Sequence, residues 1–162
     1  MGEAHVPTRT SSNQRLRRVT ITPTVDTSAY AAGDLVGGKL TFGDALFGIE
    51  GASGLLQTAQ LTDAGQQDAA LDLLLFDADP VSTSFTDNAA FGVDAADRTK
   101  ICARITLAAY LALDDVSVAR ADNLALPIMG ISNSTLYGAL VSQGTPTYAA
   151  DDLTLALTFL SL

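Results

Sequence analysis

Four groups of residues in this sequence have types and spacings that invite a chemical reading. Gly33-Asp34-Leu35-Val36-Gly37-Gly38-Lys39-Leu40 carries the glycine and lysine spacing of a phosphate-binding loop. Such a loop needs Ser or Thr after the lysine to hold magnesium, and a helix whose N-terminus faces the phosphates. Leu40 stands at the hydroxyl position and Lys39-Leu40-Thr41-Phe42 alternates, so the segment reads as a strand. Carboxylates recur in pairs at Asp77/Asp79, Asp94/Asp97, Asp114/Asp115 and Asp151/Asp152. Paired carboxylates can hydrolyse glycosides, but those sites bring aromatic sugar platforms and the chain has no Trp. Asp77 and Asp79 could ligate calcium with backbone carbonyls, although no EF-hand spacing accompanies them. The plainer reading of all four pairs is acids at turns and strand ends. His5 is the single histidine, which argues against a Ser-His-Asp triad or a histidine metal site. Cys102 is the single cysteine and has no histidine beside it, so it reads as a small half-buried residue rather than a nucleophile. Tyr30, Tyr110, Tyr137 and Tyr148 are scattered, as core-edge or interface residues would be. No catalytic residue, cofactor site or metal site is expected.

The elements that would position these residues are strands. Val19, Ile21 and Pro23 alternate with Thr20, Thr22 and Thr24, and the proline suits a strand end or edge. Further strands are expected over 35–42, where Gly37 and Gly38 invite a bulge, and over 55–62, with Leu55, Ala59 and Leu61 on one face. Residues 70–76 are apolar except Asp72, as a central strand would be. Residues 81–92 read as a polar loop with Phe85 and Phe91, and Asp94 as an N-cap for one helical turn over 94–100. Ile101, Ala103 and Ile105 form a strand face, 113–119 a weaker strand, and 153–159 a last one. Residues 125–131 and 135–142 flank Ser132-Asn133-Ser134 and read as a hairpin. The alanine-rich 108–112 could be helical. Eight or nine strands with turn signals between them predict an all-β fold, an antiparallel β-sandwich of jelly-roll type.

The chain of 162 residues is long enough to close one core without a staple. One cysteine allows no internal disulfide, which fits a reducing compartment. No run of about 18 apolar residues is present, so no transmembrane helix is expected. The arginines near the start precede no apolar core, so no secretory signal is expected either. Val6 spoils a myristoylation start, and Asn133-Ser134-Thr135 is a sequon in spelling only. Residues 1–16 are polar and aperiodic and read as a flexible basic arm, leaving 17–162 as a single domain. Residues 1–18 hold Arg9, Arg15, Arg17 and Arg18 against Glu3, which leaves five of the nine basic and seventeen of the eighteen acidic residues for the body. An acidic body repels phosphate backbones, so no nucleic-acid partner is expected. The four arginines are the candidate partner-binding residues, suited to an acidic neighbour.

Three segments together resemble a known family. They are Gly54–Asp63 running into Leu71–Pro80, then Phe85–Ala90, and Leu136–Leu140 followed by Asp152–Leu160. In combination they are similar to small virion proteins of tailed bacteriophages that act as capsid decoration, or cement, proteins. The resemblance covers 17–162 and leaves out the basic arm. It implies a structural protein that binds an expanded shell and ties neighbouring capsid subunits together; the acidic body, disfavoured beside packaged DNA, places it on the outer surface rather than the inner one. The partners it implies are the major capsid protein and copies of itself, as a dimer or trimer at a symmetry axis. It implies no catalytic residue. The rival readings are a tail or baseplate β module binding a host glycan or receptor, which would display exposed aromatics, and a hydrolase built on Asp77 and Asp79.

Overall fold

The computed structural model describes residues 15–46, 53–129 and 134–161. The backbone there is almost entirely strand and loop. The strands are β1 (Leu16–Ile21), β2 (Leu35–Phe42), β3 (Gly54–Asp63), β4 (Leu71–Phe76), β5 (Ile101–Leu107), β6 (Tyr110–Leu113), β7 (Val116–Ala121), β8 (Leu126–Ile128), β9 (Leu136–Ser142) and β10 (Leu153–Ser161). One sheet has the order β1-β10-β3-β7-β6, with β8 also on β3, and the other β2-β9-β4-β5. Every pairing is antiparallel.

Without the short β6 and β8, the eight remaining strands renumber as 1-8-3-6 and 2-7-4-5. That is the connectivity of a jelly roll, two Greek keys wrapped into two facing sheets. Nearly every connection therefore crosses from one sheet to the other, and neither sheet can form without its neighbour. The predicted β-sandwich is the observed fold.

The core lies between the sheets. Leu56, Ala59, Leu61, Leu155, Leu157 and Phe159 point in from one, and Leu40, Phe42, Leu71, Leu73, Leu75 and Leu140 from the other. Two bulges set which alternating residues belong to it. Thr158 pairs with Thr58 and Phe159 with Leu56, so Gln57 is an extra residue in β3. The expected face of Leu55 with Ala59 and Leu61 is thereby corrected, since Leu56 turns inward and Leu55 outward. A second bulge leaves Cys102 extra, because Leu75 pairs with Ala103 and Phe76 with Ile101. Ala103, Ile105 and Leu107 are buried, but Ile101 is 39% exposed and lies outside the core. A bulge inserts one residue on one side only, and the inward parity flips beyond it.

Other expectations are corrected too. Residues 125–131 and 135–142 are not a hairpin, since β8 pairs with β3 and β9 lies in the opposite sheet between β2 and β4. Residues 130–133, including two positions of that expected turn, lie outside the described residues. Residues 108–112 are not helical: Tyr110–Leu113 is β6, joined to β7 by a tight turn at Asp114-Asp115, with Asp114 at φ 51°. The helical turn shrinks to a 3-10 turn over Arg98–Lys100, with Asp97 rather than Asp94 at its start.

The segment between β4 and β5 folds back across the outer face of β2-β9-β4. Phe85, Phe91 and Val93 pack there on Leu35, Phe76 and Ala139 as a second, smaller core. Backbone bonds fasten it to β2: Leu35 N to Ala89 O at 2.9 Å, Asn88 N to Leu35 O at 2.9 Å and Phe91 N to Gly33 O at 2.9 Å. Strands β2, β9 and β4 are thus covered on both faces, while β5 keeps Arg104 exposed on its outer side. The other sheet has its outer face open among the described residues.

Candidate functional site

The phosphate-loop-like segment is β2, as expected. Gly37 and Gly38 have φ of 77° and 70° and form the bulge, and no helix follows. A Cβ on Gly37 would collide with Cβ of Pro23, so only glycine fits there. Its N–H donates to Asp87 Oδ1 at 2.7 Å, which also accepts from the Tyr30 hydroxyl at 2.9 Å.

The carboxylate pairs are separated by their partners. Asp79 Oδ1 receives Lys39 Nζ at 2.8 Å, and the same ammonium lies 5.5 Å from the Tyr137 ring centroid and 5.8 Å from that of Phe85. Burial raises the Asp77 carboxyl above its ordinary value. Asp97 is fully buried. Its Oδ2 accepts from Ser82 N at 2.9 Å, Thr83 N at 2.7 Å and Thr83 Oγ1 at 2.8 Å, and its Oδ1 from Lys100 Nζ at 2.7 Å. Burial works to raise this carboxyl, but Lys100 and Thr83 outweigh it and hold it below the usual range. Asp94 Oδ1 accepts from Ala96 N at 2.8 Å. Asp97 and Lys100 therefore pin both ends of the covering loop, since Lys100 Nζ also donates to Asp79 O at 2.6 Å. Asp152 Oδ2 accepts from Ala149 N at 2.6 Å, while Asp151 is exposed. Among the described residues no three metal-ligating side chains converge.

Cys102 is half-buried, and burial followed by the nearby Asp77 charge pushes its thiol up to about 12. A thiol this reluctant to ionise is a poor nucleophile. On the outer face of β4-β5, Asp72 is held by Arg104 at 2.7 Å and by Thr106 Oγ1 at 2.6 Å. Burial would raise it, but these two partners hold it below its ordinary value.

Sequence reasoning did not single out Asp63. It points inward at the last position of β3, fully buried. Its Oδ2 accepts from Gln67 N at 2.9 Å and Asp68 N at 3.1 Å, which ties down the β3–β4 turn. Its Oδ1, the Ser117 hydroxyl directly across the strand pair and the Tyr148 hydroxyl are buried without a hydrogen-bond partner among the described residues. Burial raises the Asp63 carboxyl against the pull of those turn amides, and the Asp68 charge adds to the rise. Only the interruption of an otherwise apolar inward row hinted at this residue.

The predicted arginines are distributed along and around β1. Arg9 lies outside the described residues. Arg15 is exposed, its N donating to Ser161 Oγ at 3.2 Å and its carbonyl accepting from Ser161 N at 2.9 Å. Arg17 is on the inward side of β1, 3.9 Å from Asp44. Arg18 projects outward, opposite Thr158. Arg15 and Arg18 thus border the open outer face of the six-stranded sheet.

The two ends of the sandwich differ in charge. The β1–β2, β3–β4, β6–β7 and β9–β10 connections gather at one end. They hold Asp26, Asp34, Asp68, Asp114, Asp115, Asp151 and Asp152, and neither Lys nor Arg. Arg15, Arg17 and Arg18 lie at the opposite end.

No known protein family matches the chain, and no curated protein matches it. Among solved structures it is similar to one titled Desmodium yellow mottle tymovirus, at 12% identity and a TM-score of 0.30, covering 99% of this chain and 88% of that one. Turnip yellow mosaic virus gives 11% identity and a TM-score of 0.28, with coverage of 91% and 92%. Sacbrood virus of honeybee gives 12% and 0.31, with coverage of 91% and 68%. Likeness at this level carries no argument about function. No described helix is long and apolar enough to cross a membrane.

Proposed function

We propose that this chain is a structural virion protein, a capsid decoration or cement protein that binds the outer surface of the major capsid shell and stabilises it. The observation that carries this reading is where the family-like segments fall. Gly54–Asp63 is β3, Leu71–Phe76 is β4, Leu136–Leu140 lies in β9, Asp152–Leu160 spans β10, and Phe85–Ala90 belongs to the loop covering the second core. The resemblance therefore covers the central strands of both sheets and the lid that stiffens one of them. Its weight is on the body, and the body is built for rigidity.

Cementing requires a stiff module with adhesive surface and no reaction. On this reading the carboxylates serve the module, as Asp97, Asp63 and Asp72 do. The arm expected over 1–16 gives up Leu16 to β1; residues 1–14 order against an acidic neighbour, with Arg9, Arg15, Arg17 and Arg18 as contacts. The protein works as a homo-oligomer on the virion surface, away from nucleic acid and membrane. The glycan-binding alternative needs aromatic rings presented to solvent. Among the described residues, Tyr30, Tyr148, Phe42, Phe76 and Phe159 are buried, and Phe85 and Phe91 pack on each other at 5.5 Å.

Co-sedimentation with expanded capsids, assembled from whichever major capsid protein is found encoded in the same genome, tests the proposal. Saturable binding and a higher capsid melting temperature are expected. A lack of binding at concentrations well above about 10 μM would reject it.

A further inference from the structure

The two sheets differ in what covers them. The four-stranded sheet is roofed by the β4–β5 loop and its second core, whereas the outer face of the six-stranded sheet is bare among the described residues. In a chain with 18 acidic residues, no Asp or Glu occupies an outward position of these strands, although Asp122, just past β7, pairs with Arg120. Its strands present threonines at 20, 58, 62, 154 and 158, with apolar clusters at both ends. At the acidic end, Leu111 pairs with Val118 and Leu113 with Val116, and the two leucines are 64% and 49% exposed. At the other end an outward apolar row crosses four strands from Leu16 through Leu160 and Leu55 to Pro127, with Met129 beyond it. Leu16 is 70% and Met129 69% exposed. Large contiguous apolar surface on a soluble module marks an interface.

We infer that this face is an isologous interface, and that its occupant is the same face of a second copy. The placement of the two clusters carries the inference. Both β7 and β8 pair along one edge of β3, β7 opposite 59–63 and β8 opposite 54–56. They form one file, with an apolar patch at each end. A two-fold axis lying in the face and crossing the strands turns each file end for end and keeps it over itself. Placed over the middle of β3, it brings Val118, opposite Thr62, onto Pro127 of the second copy, opposite Leu55. Val116 then meets Met129 of the second copy, one pleat further out. Along this file the apolar ends meet twice, while Leu55 and Leu160 fall over Thr62 and Thr154 of the second copy.

The size fits. Six strands of three to ten residues, about 4.8 Å apart and at about 3.4 Å per residue, offer roughly 600 Å² per copy. Two copies bury about 1,200 Å², the lower end of the standard size of a stable interface. The charges on the face are two arginines and one carboxylate, Arg120 being paired with Asp122 at 2.5 Å near the middle of the β7–β8 file. Arg18 is on edge strand β1, where a long side chain reaches solvent at the rim. The inference deepens the proposed function by choosing a dimer over a trimer, and it is tested on the free protein without capsids, so its failure leaves shell binding standing.

The experiment is sedimentation velocity of the full chain up to about 100 μM, a range in which an interface of this size associates. It is paired with two variants made in a Cys102→Ala background, Val118→Cys and Pro127→Cys, mixed under mild oxidation. A dimer is expected, with a disulfide across two chains in the mixture and none in Val118→Cys alone. Val118→Glu should weaken dimerisation at least tenfold, with a melting temperature unchanged at dilutions where both proteins are monomeric. Val81→Glu, on the covered side of the molecule and 75% exposed in the parent, should leave it intact. A chain monomeric throughout, or a dimer that neither cross-links in the mixture nor responds to Val118→Glu, overturns the inference. A monomer whose capsid binding is abolished by Val118→Glu overturns it too, and assigns the face to the shell protein.

Discussion

Leu155→Ala is the perturbation whose cost can be worked most directly from the structure. Leu155 sits mid-core in β10, fully buried, with Ile21 on one side and Leu61 on the other. Truncation removes three carbon groups at about 0.8 kcal/mol each, roughly 2.4 kcal/mol in transfer free energy. The flanking strands are held by ladders on both sides and cannot collapse into the gap, so a cavity cost adds to it. The total should be about 3–5 kcal/mol. At roughly 2–4 °C per kcal/mol for a domain of this length, the melting temperature should fall by about 6–20 °C. Urea denaturation followed by circular dichroism gives the free energy, and an unchanged m-value would show that the same surface is exposed on unfolding. A loss below about 0.5 kcal/mol would place Leu155 at the surface and refute the register of the central strands.

Four further outcomes are expected. Asp63→Asn should raise the melting temperature at pH 7, because burial raises the Asp63 carboxyl and its ionised form opposes folding. In the parent that opposition is relieved as pH falls through the raised folded value, so the variant should gain less on acidification; a variant less stable than the parent at every pH counts against this. Asp97 is shifted the other way, so its contribution is full above the ordinary value of 3.8 and is lost as pH falls through its lower folded value. In Asp97→Asn that part of the acid sensitivity should vanish, together with protection of the Ser82 and Thr83 amides from hydrogen exchange, and a parent-like acid transition would be the contrary result. Gly37→Ala should cost about 1–3 kcal/mol, since it places a side chain at positive φ against Pro23, and a neutral effect in thermal melts would deny that strain. Deleting residues 1–14, which spares β1, should leave the melting temperature of the free protein unchanged and weaken capsid binding; equal binding by both chains makes the arm a passive tail.

The sequence by itself determined the composition of the sandwich. Alternation of period two in 17–23, 101–107 and 153–159, with turn residues between, made strands inescapable, and one cysteine with one distant histidine left little for catalysis. These are local properties, and local pattern is enough to state them. Tertiary structure decided everything that depends on which distant strand lies alongside. Residues 125–142 looked like a hairpin because each half is strand-like and a turn lies between, yet β8 and β9 belong to opposite sheets, where β3 and β4 hold them. Leu55 and Leu56 look equivalent until the extra residue at Gln57 sets the parity, and the same holds for Ile101 and Ala103 beyond Cys102. The loop with Phe85 and Phe91 became a second core only because the four-stranded sheet offered Leu35, Phe76 and Ala139 on its outer side. The open face of the six-stranded sheet was illegible for the same reason. Its residues come from six strands scattered from Leu16 to Leu160, and only long-range pairing lays them side by side.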